Sequence, residues 1–422
     1  MATLYRWIYS TLLYLLTPLI ICRLLLRGRK APAYRDRWGE RFAHTLPEHS
    51  PGVIWFHTVS VGETLAALPV IKHTLAQYPD QKVLVTTMTP TGSDRVRASL
   101  GDTVAHVYAP YDLPHAMARF YKHYRPRCLC IMETELWPNM LHQAKIHHVP
   151  VVLMNARMSE KSASGYRRFK TLTQDMMAKL SSIAVQNATD AERFESLGAS
   201  KEQLQVTGNI KFDLTMPPDL ATKQQVFSAA LADRPVWLAA STHQGEDDIL
   251  VDAHRQLLQQ HPDACLIIVP RHPERFEEVY QIASKTGLSV HRRTADEQPD
   301  SQIYLVDTMG ELLLFSSLAD MAFVGGSLIE RGGHNCLEVS AFAKPVMSGK
   351  HDFNFADINQ QLVTAGGLVY VANSGEICQQ LTQWIENPAL ASETGRAGLA
   401  VVERNRGALG KLIEILTQHF TD

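Results

Sequence analysis

The sequence has no excess of charge of either sign. Its 422 residues contain 41 Lys and Arg against 43 Asp and Glu, which gives a formal net charge of −2. A chain with this balance has no overall field that would attract nucleic acid, so no nucleic-acid partner is expected. The apolar fraction of 45% and the charged fraction of 20% are typical of a globular protein. The length is sufficient for two domains of ordinary size, each with its own core.

Cysteine is also scarce, and its spacing matches no zinc site. The six cysteines stand at positions 22, 128, 130, 265, 336 and 378, and no pair has the Cys-x-x-Cys spacing. Cys128 and Cys130 are two residues apart in an apolar run, which places both on one face of a strand and favours core packing. We therefore expect all six cysteines to be reduced, as in a cytosolic compartment.

Several motifs of common enzyme classes are absent. The chain has no Asp-x-Asp with a catalytic placement and no His-x-x-x-His, and Ser60 is not part of a G-x-S-x-G motif. The nearest acidic pair is Glu133-Thr134-Glu135, whose carboxylates would point to one face of a strand. A metal could bind there, but nothing requires one. The sequence therefore predicts no resident metal and no cofactor.

What the sequence does have is an uncharged apolar run near its N-terminus. Trp7 to Cys22 carries no charge over 16 residues, and Leu24-Leu25-Leu26 extends the run to the short limit of what spans a bilayer. Ala31-Pro32-Ala33 resembles a signal-peptidase site, but a dense basic cluster opposes export and keeps the rest of the chain cytoplasmic. We interpret residues 1–30 as a membrane anchor that spans the bilayer or lies in its interface, with a buried core helix as the alternative. The basic residues are Arg23, Arg27, Arg29, Lys30, Arg35, Arg37 and Arg41.

Beyond residue 50, apolar strand-like runs alternate with amphipathic helical segments. This order predicts parallel sheets covered on both faces, and therefore an α/β fold. Residues 214–234, with Pro217-Pro218, read as a linker between two Rossmann-like domains, 31–213 and 235–422, and we expect the site in a cleft where the strand ends face each other. A final helix is predicted near 407–419. The predicted strands are 53–57, 83–88, 104–109, 128–132, 150–154, 182–186, 204–208, 235–240, 264–269, 288–292, 303–306, 319–324, 345–347 and 368–371.

In the first half, acidic residues follow two predicted strands. Glu63 comes after the first strand and begins a helix, where its carboxylate could act in the cleft. The alternative is structural, because Ser60-x-x-Glu63 is a capping box in which Glu satisfies a backbone amide. Glu133 and Glu135 follow the fourth strand, and acids next to an apolar strand end are costly unless they are exposed or used.

In the second half, the candidate binding residues also follow strand ends. The stretch 325–338 has four glycines that allow close backbone approach, amides at the next helix that could bind an anion, and Glu338, which could accept hydrogen bonds from a ribose diol. The alternative is an ordinary glycine-rich turn with acids favoured by the helix dipole. The stretch matches neither the dinucleotide motif nor the P-loop. Arg271 could pair with a phosphate, with a solvated helix start as the alternative. Met309-Gly310-Glu311 follows another strand and could equally be an ordinary helix entry.

Taken together, the motifs resemble the 3-deoxy-D-manno-octulosonic acid (Kdo) transferases of lipopolysaccharide assembly, glycosyltransferase family 30, which have the two-domain GT-B architecture. The resemblance runs nearly end to end. Where the family commonly shows Asn-Pro-Leu-Glu, this chain has Asn335-Cys336-Leu337-Glu338; loss of the proline should alter the helix start slightly and leave the Asn and Glu roles intact. The matching segments are RGRKAPAYRDRWGERF (27–42), SVGETLAALP (60–69), TTMTPTGSDRV (86–96), METELWPN (132–139), TGNIKFD (207–213), STHQGE (241–246), VPRHPERF (269–276), DTMGELL (307–313) and FVGGSLIERGGHNCLE (323–338).

The resemblance implies an enzyme that transfers Kdo from CMP-Kdo to the lipid A precursor lipid IVA, with inversion at the anomeric centre. Glu63 would be the general base, with a pKa lowered by the positive end of its helix. Glu133 and Lys211 would stabilise the transition state. Three segments would bind CMP: Pro270-Arg271, Met309-Gly310-Glu311 and Asn335-Cys336-Leu337-Glu338.

The resemblance also implies a place in the cell. The acceptor would be an acylated, phosphorylated disaccharide in the inner leaflet, so the anchor and its basic flank would hold the enzyme on the cytoplasmic side of the inner membrane, next to membrane lipid.

Two alternatives stay open: another GT-B transferase or a sugar-nucleotide epimerase, and a membrane-tethered nucleotide-binding module without chemistry. The anchor and segment 57–63 argue against a soluble epimerase, while Glu63, Glu133 and Lys211 argue against a module that only binds.

Overall fold

The chain folds into two α/β units. The computed structural model describes residues 1–48, 50–214, 216–231, 234–295 and 298–420. The first unit comprises Met1–Asp213 together with the chain from Arg406 onward, and the second comprises Leu214–Asn405. Each unit contains a seven-stranded sheet in which every pairing is parallel. The predicted fold, two Rossmann-like domains in tandem, is thereby confirmed.

The predicted strands are confirmed, and their observed ends differ from the predicted ones by at most two residues. The strands are β1 (Ile54–His57), β2 (Val83–Thr87), β3 (Ala105–Tyr108), β4 (Cys128–Met132), β5 (Val151–Ala156), β6 (Ser182–Val185), β7 (Leu204–Val206), β8 (Val236–Thr242), β9 (Cys265–Pro270), β10 (Val290–Arg292), β11 (Ile303–Leu305), β12 (Met321–Val324), β13 (Val346–Ser348) and β14 (Leu368–Tyr370). The helices are α1 (Ala2–Lys30), α2 (Trp38–Arg41), α3 (Val61–Gln77), α4 (Pro90–Leu100), α5 (Pro114–Tyr124), α6 (Pro138–Ile146), α7 (Glu160–Arg167), α8 (Lys170–Met177), α9 (Ala188–Ser196), α10 (Leu220–Leu231), α11 (Asp247–Leu257), α12 (Phe276–Ser284), α13 (Leu312–Leu318), α14 (Leu337–Ser340), α15 (Ala356–Ala365), α16 (Ser374–Glu386), α17 (Pro388–Arg404) and α18 (Ala408–Phe420).

Each sheet changes direction beside its first strand, β1 or β8. The order is β3-β2-β1-β4-β5-β6-β7 in the first unit and β10-β11-β9-β8-β12-β13-β14 in the second. The chain therefore moves outward on one side of β1 or β8 and then returns to the other side. In doubly wound sheets, ligands bind at the carboxyl ends of the strands at this switch point. The loops after β1 and β4, and those after β8 and β12, are thus the places to look for function.

The first sheet is buried on both faces. Trp55 and Leu129 belong to the hydrophobic cluster on one face, while Phe56 and Cys130 belong to the cluster on the other. Because both faces are covered, the strands are continuously apolar rather than alternating. Cys128 and Cys130 lie in the second cluster with their sulfur atoms 3.9 Å apart, which confirms the predicted core packing. All six cysteines are free thiols.

The segment 214–234 is more than a linker. Residues 215, 232 and 233 lie outside the described residues, but α10 forms within the segment and buries Phe227 and Leu231. The Phe227 ring packs against that of Phe315, with centroids 5.5 Å apart. The prolines at 217 and 218 therefore precede a helix of the second unit, because helix-forming residues follow them.

The last helix differs from the expected division, which placed it in the domain 235–422. The Asp213 carboxylate accepts hydrogen bonds from the backbone N–H groups of Gly407 and Leu409, at 2.7 and 2.6 Å, where α18 begins. Leu412 and Leu416 are buried in the same cluster as Phe56 of β1. α18 therefore completes the cover of the first sheet, and Asp213 at the end of the segment 207–213 fixes its start.

α1 is exposed along most of its length. Among the described residues it is the one helix long and apolar enough to cross a membrane, over Ala2–Arg29, and only 11% of its most apolar stretch is buried. Leucines 12, 15, 16 and 19 are all exposed on it. A core helix would hide these side chains, so the observed exposure disfavours that alternative and is compatible with an anchor.

A polar face docks α1 onto the first unit. The buried Arg6 donates from Nη1 to Oδ1 of Asn139 at 3.0 Å, and Asn139 Nδ2 donates to Ser10 Oγ at 3.0 Å. The Asn139 backbone N–H donates to the buried Asp112 carboxylate at 2.9 Å. Paired polar groups face the protein while leucines face outward, which is the reverse of an amphipathic helix on a soluble protein.

Candidate active site

The loops after β1 and β4 bring three acidic side chains together at the switch point of the first sheet. Glu63 lies in the first turn of α3, and Glu133 and Glu135 follow β4. The negative charges of Glu135 and Glu133 both act on the Glu63 carboxyl group. The acids singled out in the first half of the sequence therefore meet at one place, because neighbouring parallel strands end at the same edge of the sheet.

The carboxyl group of Glu63 is held by the loop that precedes its helix. The Val59 N–H donates to Oε2 at 2.8 Å, and the Ser60 hydroxyl donates to Oε1 at 2.8 Å. Ser60 also caps α3, since its Oγ accepts the Glu63 N–H at 3.3 Å. Glu63 thus takes part in a cap, as the Ser-x-x-Glu pattern predicted, and it is only 9% exposed. Each carboxylate oxygen has a second lone pair, so the group can still accept a proton.

Burial changes the acidity of Glu63 in the direction opposite to the one expected. Loss of hydration raises its pKa to about 7, and the charges of Glu135 and Glu133 add to the rise. The hydrogen bonds from Val59 and Ser60 oppose the rise without cancelling it. The expectation that the helix N-terminus would lower this pKa was wrong, because desolvation of a nearly buried carboxylate outweighs the helix dipole. A carboxylate with a pKa near 7 is well matched to general-base chemistry at neutral pH.

Glu133 pairs with Lys211 from an unusual backbone position. Its φ is +53°, in the left-handed region, where a residue with a side chain costs about 1–2 kcal/mol. Lys211 Nζ lies 3.2 Å from Oε1 of Glu133, and Arg157 Nε lies 3.8 Å from Oε2. The Glu133 and Lys211 side chains are each 20% exposed. Strain that the surrounding structure maintains is a mark of functional positions.

Two asparagines position Lys211. Asn209 Oδ1 accepts the Lys211 N–H at 3.0 Å, and Asn155 Oδ1 accepts the N–H of Ile210 at 3.1 Å. Asn155 is fully buried in β5 and has a φ of +51°. The asparagine of the segment 207–213 therefore turns the chain so that the lysine reaches Glu133. The structure brings together Glu63, Glu133 and Lys211 in one unit.

Two aromatic side chains beside these acids received no role from the sequence. Trp137 Nε1 donates to Glu135 Oε2 at 3.0 Å, and burial raises the pKa of Glu135. The Trp137 ring packs edge-on against His57, with centroids 4.6 Å apart. Burial lowers the pKa of His57 to about 3, so its ring is neutral. Their positions at the ends of β1 and β4 were the signal that could have identified them.

In the second unit, a carboxylate of the chain itself fills part of the glycine-rich loop. The N–H groups of Gly326, Ser327 and Leu328 donate to Glu246 at 2.7, 3.0 and 3.0 Å. The N–H of His243 donates to the same carboxylate at 3.0 Å, and Glu246 is fully buried. Glu246 therefore joins the loops after β8 and β12 at the switch point. The sequence singled out the segment 241–246 but not this role.

The first two glycines of the loop serve packing within the unit rather than a ligand. A Cβ on Gly325 would lie 2.9 Å from the Glu246 carboxylate. Gly326 has a φ of +71°, and a Cβ there would lie 3.1 Å from the His334 ring. That ring stacks on His243 with the two Nε2 atoms 2.8 Å apart. Burial lowers the pKa of His243 to about 4 and that of His334 to about 3, so one neutral ring donates and the other accepts.

Arg271 and the segment 335–338 come together at this edge of the second sheet. Burial raises the pKa of Glu338 to about 7, and the charge of Arg271 and a hydrogen bond with Asn335 oppose the rise. Asn335 Oδ1 also accepts the Leu337 N–H at 3.2 Å, so this amide at the start of α14 is already paired. Cys336 is fully buried beneath them. A guanidinium beside a carboxyl group can hold a phosphate and a ribose diol, respectively.

The other predicted nucleotide-binding residues stand at neighbouring strand ends. Pro270 is the last residue of β9, Met309 is 51% exposed, and Gly310 has a φ of +88°. Glu311 accepts two N–H groups of Arg293, at 3.2 and 3.3 Å, and precedes α13, which contacts α14. The three segments therefore share the carboxyl edge of the second sheet, with Glu311 engaged in a pair that the sequence did not predict.

In the part of the chain that the structure describes, no group of three or more His, Cys, Asp or Glu side chains could hold a metal ion. Lys211 and Arg157 engage Glu133, and Trp137 engages Glu135. Whether the reaction needs a metal is a matter for experiment, and metal independence stays a prediction.

The chain matches two family models and is similar to several known proteins. The family described as 3-Deoxy-D-manno-octulosonic-acid transferase (kdotransferase) matches residues 36–214, and glycosyl transferases group 1 matches residues 242–400. The chain is 42% identical to the 3-deoxy-D-manno-octulosonic acid transferase of Haemophilus influenzae over 420 residues, which cover 98% of each chain. The C-terminal CMP-Kdo binding domain of WaaA from Acinetobacter baumannii is 32% identical, covering 44% of this chain and 97% of that domain with a TM-score of 0.42. A UDP-GlcNAc 2-epimerase from Neisseria meningitidis covers 88% of this chain and 99% of its own at 15% identity and a TM-score of 0.55, which shows a shared fold alone.

Proposed function

The chain belongs to the 3-deoxy-D-manno-octulosonic acid (Kdo) transferase family and is a glycosyltransferase, and on that premise we propose that it transfers Kdo from CMP-Kdo to lipid IVA with inversion. Membership of this family sets aside the epimerase and the module without chemistry. Among GT-B transferases, it identifies the chain as a Kdo transferase.

The observation that carries the proposal is the carboxyl group of Glu63. It is nearly buried, oriented by Val59 and Ser60, and has a pKa of about 7. In the proposed reaction an acceptor hydroxyl attacks the anomeric carbon of Kdo and gives its proton to Glu63. The bond from that carbon to the phosphate oxygen breaks, and CMP leaves with the electron pair. Attack from the face opposite to the leaving group inverts the configuration.

We assign Glu133 and Lys211 to stabilisation of the transition state. Positive charge develops on the sugar as the bond to phosphate breaks, and negative charge develops on the leaving phosphate. A carboxylate and an ammonium group 3.2 Å apart offer charges of both signs without reorganisation during the reaction. The left-handed backbone of Glu133 supports this role, because strained backbone conformations of this kind cluster at active sites.

We assign CMP binding to the second unit. Arg271 would pair with the phosphate through its planar fork, and Glu338 would accept hydrogen bonds from the ribose diol when ionised. The charge of Arg271 acts on Glu338, so the two groups lie close enough to serve one nucleotide. Met309-Gly310-Glu311, Pro270, Asn335, Cys336 and Leu337 would shape the rest of the site.

The direct test is an assay with purified full-length protein, CMP-Kdo and lipid IVA. We expect release of CMP together with a lipid product heavier by one or more Kdo units, and no product with UDP-N-acetylglucosamine as donor. CMP binding without any transfer to lipid IVA would contradict the proposal, as would release of CMP by hydrolysis alone.

The pH dependence of the reaction should report Glu63 together with Glu338, whose pKa is also about 7. Because the base must be ionised, kcat/KM should rise with pH and level off above an apparent pKa of about 7. The free energy of unfolding should change in the opposite direction. Burial raises the pKa of Glu63 from its ordinary value of 4.5 to about 7. The contribution of Glu63 to stability is therefore fully present below pH 4.5 and is lost as the pH rises through about 7. A pH profile of kcat/KM with the acid limb near 4.5 would contradict the role of the buried carboxyl group.

We propose that transfer needs no divalent ion, because the sequence has no acidic metal motif. Arg271 or Lys211 would neutralise phosphate charge that a divalent ion neutralises in other enzymes. We expect turnover to persist in excess EDTA. Loss of turnover that only Mg²⁺ or Mn²⁺ restores would refute this prediction, provided that the thermal midpoint is unchanged by the chelator.

We propose that α1 anchors the protein on the cytoplasmic face of the inner membrane. Its outward leucines would enter the lipid, while its basic flank would favour anionic head groups. Leu15→Glu together with Leu19→Glu should move the protein from the membrane to the soluble fraction without disturbing Arg6, Ser10 or Asn139. Unchanged membrane retention of this double variant, measured by flotation with vesicles, would contradict the anchor. Release of the wild-type protein from the vesicles by high salt would instead indicate that it binds through the basic flank alone.

A further inference from the structure

A cavity of about 170 Å³ lies within the first unit, between α1 and the elements that α1 covers. One wall is a single face of α1, because its four residues are spaced by three or four positions. The other wall comes from loops at the carboxyl edge of the sheet. Apart from Asp112 and a few hydroxyl groups the lining is apolar. It consists of Tyr9, Leu13, Thr17, Ile20, Phe42, Met88, Tyr111, Asp112, Leu113 and Trp137.

Hydrogen bonds connect two of the lining residues to the acidic site, Trp137 directly and Met88 through Val59. Met88 donates its N–H to the Val59 carbonyl at 3.1 Å, and the Val59 N–H in turn donates to Glu63 at 2.8 Å. Trp137 donates to Glu135 at 3.0 Å. Two residues, Met88 and Val59, therefore connect the cavity to the candidate base. This proximity is expected for part of a substrate and not for a distant structural lipid.

Three arginines lie near the cavity, together with the lining carboxyl group of Asp112, which accepts the N–H groups of Asn139 and Met140. Arg41 is 1% exposed and donates from Nη1 to the Met88 carbonyl at 3.0 Å, and its guanidinium lies over the Tyr108 ring, 3.9 Å from the ring centroid. Its Nε and Nη2 have no acceptor with good hydrogen-bond geometry among the described residues. The positive charges of Arg41, Arg23 and Arg27 all act on the lining residue Tyr111. A buried guanidinium with donors left over is costly unless an acceptor completes it. An apolar cavity with cations beside it matches an anionic amphiphile.

We propose that this cavity is a subsite for an acyl chain of the lipid acceptor, with Arg41 on the side of the acceptor's anionic group. The identification of the ligand as the lipid acceptor rests on the proposed function. The preference of the cavity for an anionic amphiphile is independent of that function. A volume of about 170 Å³ is close to that of cavities of about 150 Å³ that bind benzene, so it receives a segment of one chain. The rest of the acceptor lies outside it, towards the lipid phase that the outer face of α1 contacts.

Filling the cavity from α1 tests the proposal, and the helix supplies a matched control. Leu13 is half-buried against the core, whereas its neighbour Leu12 is exposed. The probe is dodecyl phosphate, added to full-length protein in a bile-salt detergent that has no alkyl chain. We expect Leu13→Trp to weaken binding of the probe at least about tenfold and Leu12→Trp to leave it unchanged, with equal CMP affinity in both. Equal binding of the probe by the two variants would overturn the proposal.

A second pair of variants protects the test against misfolding. If Leu13→Trp loses its thermal transition, Ile20→Phe in the lining and Leu19→Phe on the exposed face replace the first pair, with the same expected contrast. Inorganic phosphate and dodecanol separate the two halves of the probe, and each should bind at least about tenfold more weakly than dodecyl phosphate. Phosphate that binds as well as the probe would show that the site is only an anion site, against the proposal.

A competition experiment identifies which lipid supplies the acyl chain. Lipid IVA should displace dodecyl phosphate, whereas phosphatidylglycerol should not do so at the same concentration. Equal displacement by the phospholipid would overturn the acceptor subsite in favour of a membrane-lipid site. The binding assay needs no Kdo transfer. Selective displacement by lipid IVA in a protein without transferase activity would therefore support the subsite and contradict the proposed reaction.

Discussion

Replacement of Glu63 by Gln is expected to lower kcat by about 10²–10⁴-fold, or roughly 3–5 kcal/mol of barrier, with the fold intact. The amide keeps the size of the side chain and an acceptor for the Val59 N–H, but it has no useful basicity. Because burial makes the ionised carboxylate costly, the neutral amide should leave the thermal midpoint unchanged or slightly raised. The measurements are kcat at saturating substrates, CMP affinity and the thermal midpoint on one preparation.

Two control variants separate catalysis from capping at this position. Ser60→Ala removes the cap acceptor of α3 but keeps the carboxylate, so it should cost about 1 kcal/mol of stability and far less activity. Glu192→Gln makes the same chemical change at an exposed site in α9 and should affect neither. A Glu63→Gln protein that melts early but turns over normally would leave Glu63 as a cap and remove the base from the mechanism.

Replacement of Glu246 by Gln is expected to produce the largest loss of stability. The carboxylate accepts four backbone N–H groups, from His243, Gly326, Ser327 and Leu328, in a fully buried position. An amide would present its own NH₂ group to some of these donors and leave them unpaired. We expect a loss of at least about 3 kcal/mol, which lowers the midpoint by about 6 °C or more for a unit of this size.

The loss should extend to nucleotide binding, because Glu246 holds together the two loops that frame the site in the second unit. Calorimetry would give the midpoint, and titration with CMP below that temperature would give the affinity. The control is Asp248→Asn, which changes the same charge two residues later at an exposed position. Matching midpoints for Glu246→Gln and Asp248→Asn would show that the buried carboxylate contributes no more than surface charge.

Glu63 and Glu246 occupy similar positions with different consequences. Each lies just after the first strand of its sheet, and each accepts at least one backbone N–H group. Glu246 is fully buried and bridges two loops, so it has no access to a substrate. Glu63 is 9% exposed and is held only by its own loop, which leaves a lone pair on each oxygen. This difference supports a structural role for one and a catalytic role for the other.

Part of the site was readable because it depends on short-range patterns. The apolar runs predicted the strands, and their order predicted two parallel sheets, since a parallel strand needs a crossover helix. In such sheets side chains after neighbouring strands meet at one edge. The sequence could therefore place Glu63 with Glu133, and Arg271 with Glu338, before any contact was known.

The pKa of Glu63 could not be read in this way. The helix start was visible in Ser60 and Glu63, but the degree of burial was not, and desolvation outweighed the dipole. The same reason applies to the glycine-rich loop. Its amides were visible, but Glu246, eighty residues earlier in the chain, was not recognised as the group that binds Gly326.

By itself the sequence determined the strands, the two sheets and an exposed apolar helix at the N-terminus, because these follow from periodicity and composition that are local in the chain. Tertiary structure alone decided which sheet α18 covers, how Asn139 docks α1, and that a cavity opens beside Met88 and Trp137. Those outcomes depend on contacts between residues far apart in sequence. Desolvation, pairing of buried polar groups and cavity shape are set only when such contacts form.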